Sequence, residues 1–445
     1  MSVTEKTRRE LLSRPGQVIV VTDRKQCSEP FENRIDGICR GQPDMLLLRE
    51  KDLTDTAYAE LFKSMGRLTA PYHTPLTGHS HPELDRCDMH LTMPQLRVLG
   101  AEGKQTLRLI GASVHSPEEA AEAERLGADY LIAGHIFNTP CKQGTPGRGL
   151  DYLRRVCESV SIPVFGIGGI TPKNARDVIA AGARGVCVMG TAMTVPDPAD
   201  YIRRLKRAVR RPIAPSQLRL YAVTDPVCLK DRDLCQSVES AIRGGATFIQ
   251  LRDKTASHGA LVKQARALKA VCAGYGVPLI VNDDWQAALE AGADGCHVGI
   301  EDAPVSEIRA QAGEGFIIGA TAKTPAQAKA AEAAGADYLG VGAVFPSPTK
   351  PGAIRITGEQ FRGINASVDI PCAAIGGISL DNIHELKDMG AAGYAVVSAV
   401  FGQENIEEAA RQLIQAICPR ADGATPPSRS ECRRKDRLSA GRTGL

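Results

Sequence analysis

Short apolar runs alternate with longer stretches that carry Ala, Glu and Arg on a helical period along almost the whole chain. In the C-terminal half the runs predict strands over 218–223, 248–251, 279–281, 295–298, 316–319, 338–341, 372–375 and 394–397. Between them the 3.6-residue pattern predicts helices such as 325–334 and 380–389, several closed by a glycine. The strands are continuously apolar, as expected for parallel strands covered on both faces. Eight such units in about 200 residues predict a closed (β/α)8 barrel. An open doubly wound sheet would not account for eight strands so evenly spaced.

The pattern occurs twice. Val21-Thr22-Asp23 returns as Val223-Thr224-Asp225, Leu48-Arg49-Glu50-Lys51 as Leu251-Arg252-Asp253-Lys254, and Ile167-Gly168-Gly169-Ile170 as Ile375-Gly376-Gly377-Ile378. The offset drifts only from 202 to 208. The expectation is an α/β chain of two tandem (β/α)8 TIM barrels, residues 1–212 and 216–418, followed by a disordered tail, 419–445. The joint falls in Arg210-Arg211-Pro212-Ile213-Ala214-Pro215, where two prolines stop the preceding helix. The tail is rich in Pro, Ser, Gly and Arg, and its Arg433-Arg434-Lys435 cluster reads as solvated.

Composition narrows the function classes. At 445 residues with 43% hydrophobic and 24% charged residues, the chain has ample material for two cores. A net charge of +3 gives no reason to expect a nucleic-acid partner. Without an apolar run of about 18 residues or an N-terminal apolar segment, neither a membrane span nor a secretory signal is expected. The 13 cysteines form no Cys-x-x-Cys pair, and Cys187, Cys296 and Cys372 sit in apolar runs. Neither a disulfide framework nor a zinc site is expected, and the compartment reads as the cytoplasm. Small-molecule substrates are the expected partners, and a homo-oligomer is left open.

In such barrels chemistry gathers at the C-terminal ends of the strands, and polar residues follow each run of the second copy. Gln250, Arg252 and Lys254 alternate to one side after the second strand. Asn282 and Asp283 close the third, Glu301-Asp302 follows the fourth, Thr321 the fifth, Ser347-Pro348-Thr349-Lys350 the sixth, Gly376-Gly377 the seventh and Ser398 the eighth. Two carboxylates from neighbouring strands, Asp283 and Asp302, suit one Mg²⁺, which completes its octahedron with water and phosphate oxygens. Arg252, Lys254 and Lys350 supply positive charge for a diphosphate. Gly377 and the Val397-Ser398 backbone stand where these barrels bind a single phosphate. Taken singly these signals are ordinary: a Gly-Gly is often only a turn, an Arg-x-Lys a solvated rim, and Asp283 a helix cap.

Together with Tyr221-Ala222-Val223-Thr224-Asp225, His297 to Asp302 and Gly340 to Lys350, these residues closely resemble thiamine phosphate synthase over 218–417. The resemblance implies that hydroxymethylpyrimidine diphosphate is held by Gln250, Arg252, Lys254, Asn282, Thr321 and Lys350. It implies Mg²⁺ on Asp283 and Asp302, and a thiazole phosphate among Ser347, Pro348, Thr349, Gly377, Val397 and Ser398. Asp284 stands where many relatives carry Arg, and Thr321 where many carry Ser. The resemblance further implies that diphosphate departs first to leave a pyrimidine-stabilised cation, which the thiazole nitrogen then attacks, with Arg252, Lys254 and Lys350 stabilising the leaving charge.

The first copy differs. A gapless alignment from Pro71/Pro278 to His90/His297 puts Pro75 and Leu76 opposite Asn282 and Asp283. Leu47 replaces Gln250, and Leu91-Thr92-Met93-Pro94 stands where Asp302 is due. The metal site is therefore expected to be lost. Arg49, Lys51, Lys142, Gly168-Gly169 and the Met189-Gly190 backbone keep an anion site. His115 appears after the fifth strand, opposite Lys323, where an imidazole can shuttle a proton. His79-Ser80-His81 is given no metal reading without a carboxylate partner brought near it. Ser113 to Ser116, Gly134-His135-Ile136-Phe137, Cys141-Lys142 and Gly147-Arg148-Gly149 resemble a TenI-type thiazole tautomerase over 18–209. The resemblance implies aromatisation of a thiazole carboxylate phosphate through His115. A non-catalytic binding or assembly module remains the alternative for this half, and a phosphate-binding isomerase unrelated to thiamine is a third reading of the chain.

Overall fold

The computed structural model describes residues 14–81, 84, 86–142, 144–346 and 354–417. The chain divides between Arg211 and Pro212 into two units. Each is a closed barrel of eight parallel strands. The first is built from β1 (Gln17–Val21), β2 (Met45–Leu48), β3 (Leu76–His79), β4 (Asp88–Leu91), β5 (Leu109–Val114), β6 (Tyr130–Gly134), β7 (Val164–Ile167) and β8 (Gly185–Val188). The second is built from β9 (Leu220–Val223), β10 (Phe248–Leu251), β11 (Leu279–Asn282), β12 (Gly295–Val298), β13 (Ile317–Ala322), β14 (Tyr338–Gly342), β15 (Cys372–Ile375) and β16 (Gly393–Val396). Pairing of β8 with β1 and of β16 with β9 closes them.

The strands are apolar throughout because both of their faces are covered. In β9, Tyr221 and Val223 point to the barrel axis, where they pack with Phe248, Ile280, Ile317 and Tyr338. Leu220 and Ala222 point outward, into the layer between strands and helices. The first barrel has the same two layers, with Ile19, Leu47, Tyr130 and Phe165 inside. Thr324 caps the helix Pro325–Ala334 by accepting from the Gln327 N–H, and Gly335 ends it at φ +103°. That helix matches its sequence expectation. The segment expected as a helix over 380–389 is instead a 3-10 helix, Ile383–Met389. No helix among the described residues is long and apolar enough to cross a membrane. The expected tail, 419–445, lies outside the described residues.

Candidate active sites

At the C-terminal mouth of the second barrel a cavity of about 450 Å³ is lined by Gln250, Arg252, Lys254, Asn282, Asp283, Asp302, Thr321, Gly377, Val397 and Ser398. Eight strands feeding one rim are what bring these distant residues together. A cavity of about 480 Å³ at the opposite end is lined by Pro212, Pro278, Asp294 and Phe316 and holds no comparable set of charges. Ser347, Pro348, Thr349 and Lys350 lie outside the described residues.

Each charge at the mouth is oriented by a neighbour. Asp225 accepts from Arg252 at 2.7 Å, and its other oxygen caps the helix that follows β9. Lys254 Nζ stands 3.7 Å from Asp283 Oδ2. Asp283 adopts φ +63°, which Asp tolerates better than most residues, and donates its N–H to the His297 carbonyl at 2.9 Å. Asp302 accepts from the Gly299 N–H at 2.6 Å. Burial and the facing Asp302 push the Asp283 carboxyl above the usual carboxylate range. Two like charges turned toward each other are a fitting seat for a divalent cation. Among the described residues no cluster of three metal-ligating side chains occurs. The pair therefore suits an ion that takes one or two carboxylates and draws its other ligands from water and phosphate.

On the opposite side of the mouth, Gly376 and Gly377 adopt φ +102° and +65°. A Cβ on Gly377 would lie 2.2 Å from the Pro346 carbonyl oxygen. Only glycine lets this turn close so tightly at the cavity wall, where a run of backbone N–H groups can serve an anion. Under the cavity, His297 bridges Tyr338 OH (3.1 Å) and Thr321 Oγ1 (3.1 Å), and Tyr338 continues through Tyr221 to Gln250. Sequence reasoning missed Tyr221, His297 and Tyr338 as site residues. Their only signal was a polar atom in each of three otherwise apolar runs.

The first barrel corrects one expectation. Strand register pairs Leu47 with Thr77 and His79 with His90, as it pairs Gln250 with Ile280 and Asn282 with His297. His79 and Ser80, not Pro75 and Leu76, therefore occupy the places of Asn282 and Asp283. Ser80 repeats the backbone of Asp283, with φ +62° and its N–H on the His90 carbonyl at 2.9 Å. The gapless alignment failed because the loop after β3 is four residues shorter than its counterpart, which holds the helix Trp285–Ala291. Gln95 takes the place of Asp302 and donates to the Ser80 carbonyl at 3.0 Å. Both carboxylates have neutral replacements.

What remains at the first mouth is positive. Arg49, then burial, then Lys142 hold the Lys51 ammonium below its ordinary range. Burial, with Arg49 and Lys51, pushes His79 down to about 3, so its imidazole is neutral. Lys142 ends the short turn Pro140–Lys142. Gly168 and Gly169 repeat the turn of the second barrel at φ +100° and +66°, and Met189 and Gly190 open the helix Gly190–Thr194. His115 follows β5 and is 59% exposed in its side chain, with Glu119 Oε2 3.3 Å from Nδ1 and 2.7 Å from its backbone N. Lys323 has the same backbone arrangement with Gln327. His81 does find a carboxylate, Asp55 at 3.0 Å, but no third ligand joins them among the described residues.

The family described as thiamine monophosphate synthase matches the chain twice, over residues 18–192 and 220–400. The chain belongs to this family. A thiamine-phosphate synthase of Alkaliphilus oremlandii is 46% identical over 198 residues, 44% of this chain and 95% of the relative. One from Thioalkalivibrio sulfidiphilus is 45% identical over 195 residues, 44% and 92% of the two chains. Among solved structures, thiamine phosphate pyrophosphorylase from Pyrococcus furiosus is 38% identical, with 46% of this chain and 96% of that one covered and a TM-score of 0.43. Both halves thus descend from one family, and only the second keeps the paired carboxylates.

Proposed function

We propose that the second barrel joins hydroxymethylpyrimidine diphosphate to a thiazole phosphate or thiazole carboxylate phosphate, yielding thiamine phosphate and diphosphate. The observation that carries this reading is the facing pair Asp283 and Asp302 with Arg252 and Lys254 beside it and the Gly376-Gly377 turn on the other side of one cavity. The C–O bond to diphosphate breaks with both electrons leaving on oxygen, and the thiazole nitrogen lone pair forms the new C–N bond. Arg252, held by Asp225, and Lys254 meet the charge that develops on the departing oxygens; Lys350 is assigned the same role from its sequence motif. Asp283 and Asp302 would hold Mg²⁺, which supplies further neutralisation of the diphosphate when bound. The Gly377 turn and the Val397-Ser398 backbone hold the acceptor phosphate, and Ser347, Pro348 and Thr349 are assigned to the same pocket. No side-chain nucleophile is required.

For the first barrel we infer an isomerase that aromatises the thiazole carboxylate phosphate, with Arg49, Lys51, Lys142, Gly169, Met189 and Gly190 gripping phosphate or carboxylate. His115 takes a proton from one ring position and returns it at another. The chain would then make in one half the acceptor it consumes in the other. Full-length His115→Ala is expected to lose tautomerisation and to couple the aromatic thiazole phosphate at the wild-type rate. Unchanged tautomerisation would remove the role given to His115.

A further inference from the structure

We propose that Tyr221, Tyr338 and His297 form a hydrogen-bond relay that gives Gln250 and Thr321 opposite polarity, so that together they read a donor beside an acceptor on the pyrimidine edge. The proposal deepens the synthase reading of the second barrel and rests on it for the ligand. The chain runs from Gln250 Nε2 to Tyr221 OH (2.5 Å), to Tyr338 OH (2.8 Å), to His297 Nδ1 (3.1 Å), and from His297 Nε2 to Thr321 Oγ1 (3.1 Å). Each phenol has one proton and each neutral imidazole has one, so the sense of one bond sets the next. Gln250 donates to Tyr221. Tyr221 must then donate to Tyr338, and Tyr338 to Nδ1 of His297. That ring consequently carries its proton on Nε2 and donates to Thr321. The Thr321 hydroxyl keeps its own proton for the cavity, and Gln250 presents Oε1. Gln250 and Thr321 both line that cavity, as do Tyr221 and His297.

An acceptor and a donor presented together match a 4-aminopyrimidine, whose amino group gives a proton and whose adjacent ring nitrogen takes one. The 4-oxo analogue presents the reverse. His297 is buried, and its two ring nitrogens face the hydroxyls of Tyr338 and Thr321 rather than a carboxylate, surroundings that favour the neutral ring the relay requires. Gly319 leaves room for the contact, since a Cβ there would lie 2.4 Å from Tyr338 OH and 2.5 Å from His297 Nδ1. The first barrel supplies a comparison. It keeps His90 between Tyr130 (3.3 Å) and Ser113 (2.8 Å), but Ile19 and Leu47 stand where Tyr221 and Gln250 would continue the chain. The reading end at Gln250 is thus specific to the second barrel. The three relay members are positioning residues, since the edge is contacted by Gln250 and Thr321.

Two measurements on the full chain test this. First, ¹⁵N NMR of the imidazoles, with His297 assigned by its loss in His297→Asn, is expected to show Nε2 protonated and Nδ1 bare. The opposite tautomer would overturn the relay sense. Second, kcat/KM for the 4-amino pyrimidine diphosphate is compared with that for its 4-oxo analogue. Tyr338→Phe cuts the relay in the middle while keeping the ring, and is expected to reduce the amino preference about tenfold or more, the effect of one lost buried hydrogen bond. Tyr221→Phe, which frees the Gln250 amide alone, is expected to do the same, with melting temperatures checking both folds. An unchanged preference in both variants would overturn the coupling. Absence of turnover on either pyrimidine by the wild type would defeat the synthase reading instead, and the tautomer measurement would still decide the relay.

Discussion

Replacing Asp283 by Asn keeps the shape of the side chain and removes one of two facing negative charges. Two unit charges about 4 Å apart repel by about 4 kcal/mol at an effective dielectric constant near 20. The Asp283 side chain is 38% exposed and has Lys254 at 3.7 Å, which screens most of that repulsion. About 1 kcal/mol remains after this discount. In a barrel of this size that corresponds to about 2–4 °C in melting temperature. Without metal, Asp283→Asn is therefore expected to melt about 2–4 °C above the wild type, although the coupling reaction should be crippled. With Mg²⁺ and pyrophosphate at about 100 times their dissociation constant the wild type should gain about 2.7 kcal/mol, and the variant should gain little. Scanning calorimetry of the full chain, following the transition that these ligands move, provides the readout. A variant that melts lower than the wild type without metal, or that keeps the ligand-induced shift, would refute the electrostatic reasoning.

Gly377→Ala places a Cβ 2.2 Å from the Pro346 carbonyl oxygen at φ +65°, so strain and displacement together should cost about 2–4 kcal/mol. The expected result is a lower melting temperature and a raised KM for the thiazole phosphate, whereas Gly363→Ala, in open space on the helix Gly358–Ala366, should stabilise slightly. The depressed His297 pKa also sets a pH dependence. Above about pH 6.5 neither folded nor unfolded chain protonates this ring; below it the unfolded chain does and the folded barrel refuses down to about 4. Stability is therefore lost as pH falls through this window, by about 1.4 kcal/mol per pH unit from this one group. Urea unfolding at several pH values should show a shallower slope for His297→Asn than for the wild type, and equal slopes would count against a buried neutral imidazole.

Much of the fold was legible because parallel barrel strands are buried on both faces. The apolar runs that marked 248–251, 295–298 and 372–375 became β10, β12 and β15 with those bounds. Strand ends were less legible: Thr321 lies within β13 rather than after it, because the sheet extends to Ala322. The mouth residues were readable since polar side chains directly after apolar runs have few other reasons to recur around a barrel. The replacements in the first barrel were not. Sequence offers no view of the φ near +60° shared by Ser80 and Asp283, and it is this backbone feature, with the strand register, that places the shortened loop after them. The relay was hidden for another reason. Tyr221 and Tyr338 are 117 residues apart and read singly as core aromatics, and only closure of the barrel joins their hydroxyls at 2.8 Å.

The binding stoichiometry of Mg²⁺ in the presence of pyrophosphate bears most directly on the claim that one mouth holds a metal-chelated diphosphate and the other does not. Titration calorimetry on the full chain should give one Mg²⁺ per chain for the wild type and none for Asp283→Asn combined with Asp302→Asn. Two ions per chain, or one that survives the double substitution, would contradict it.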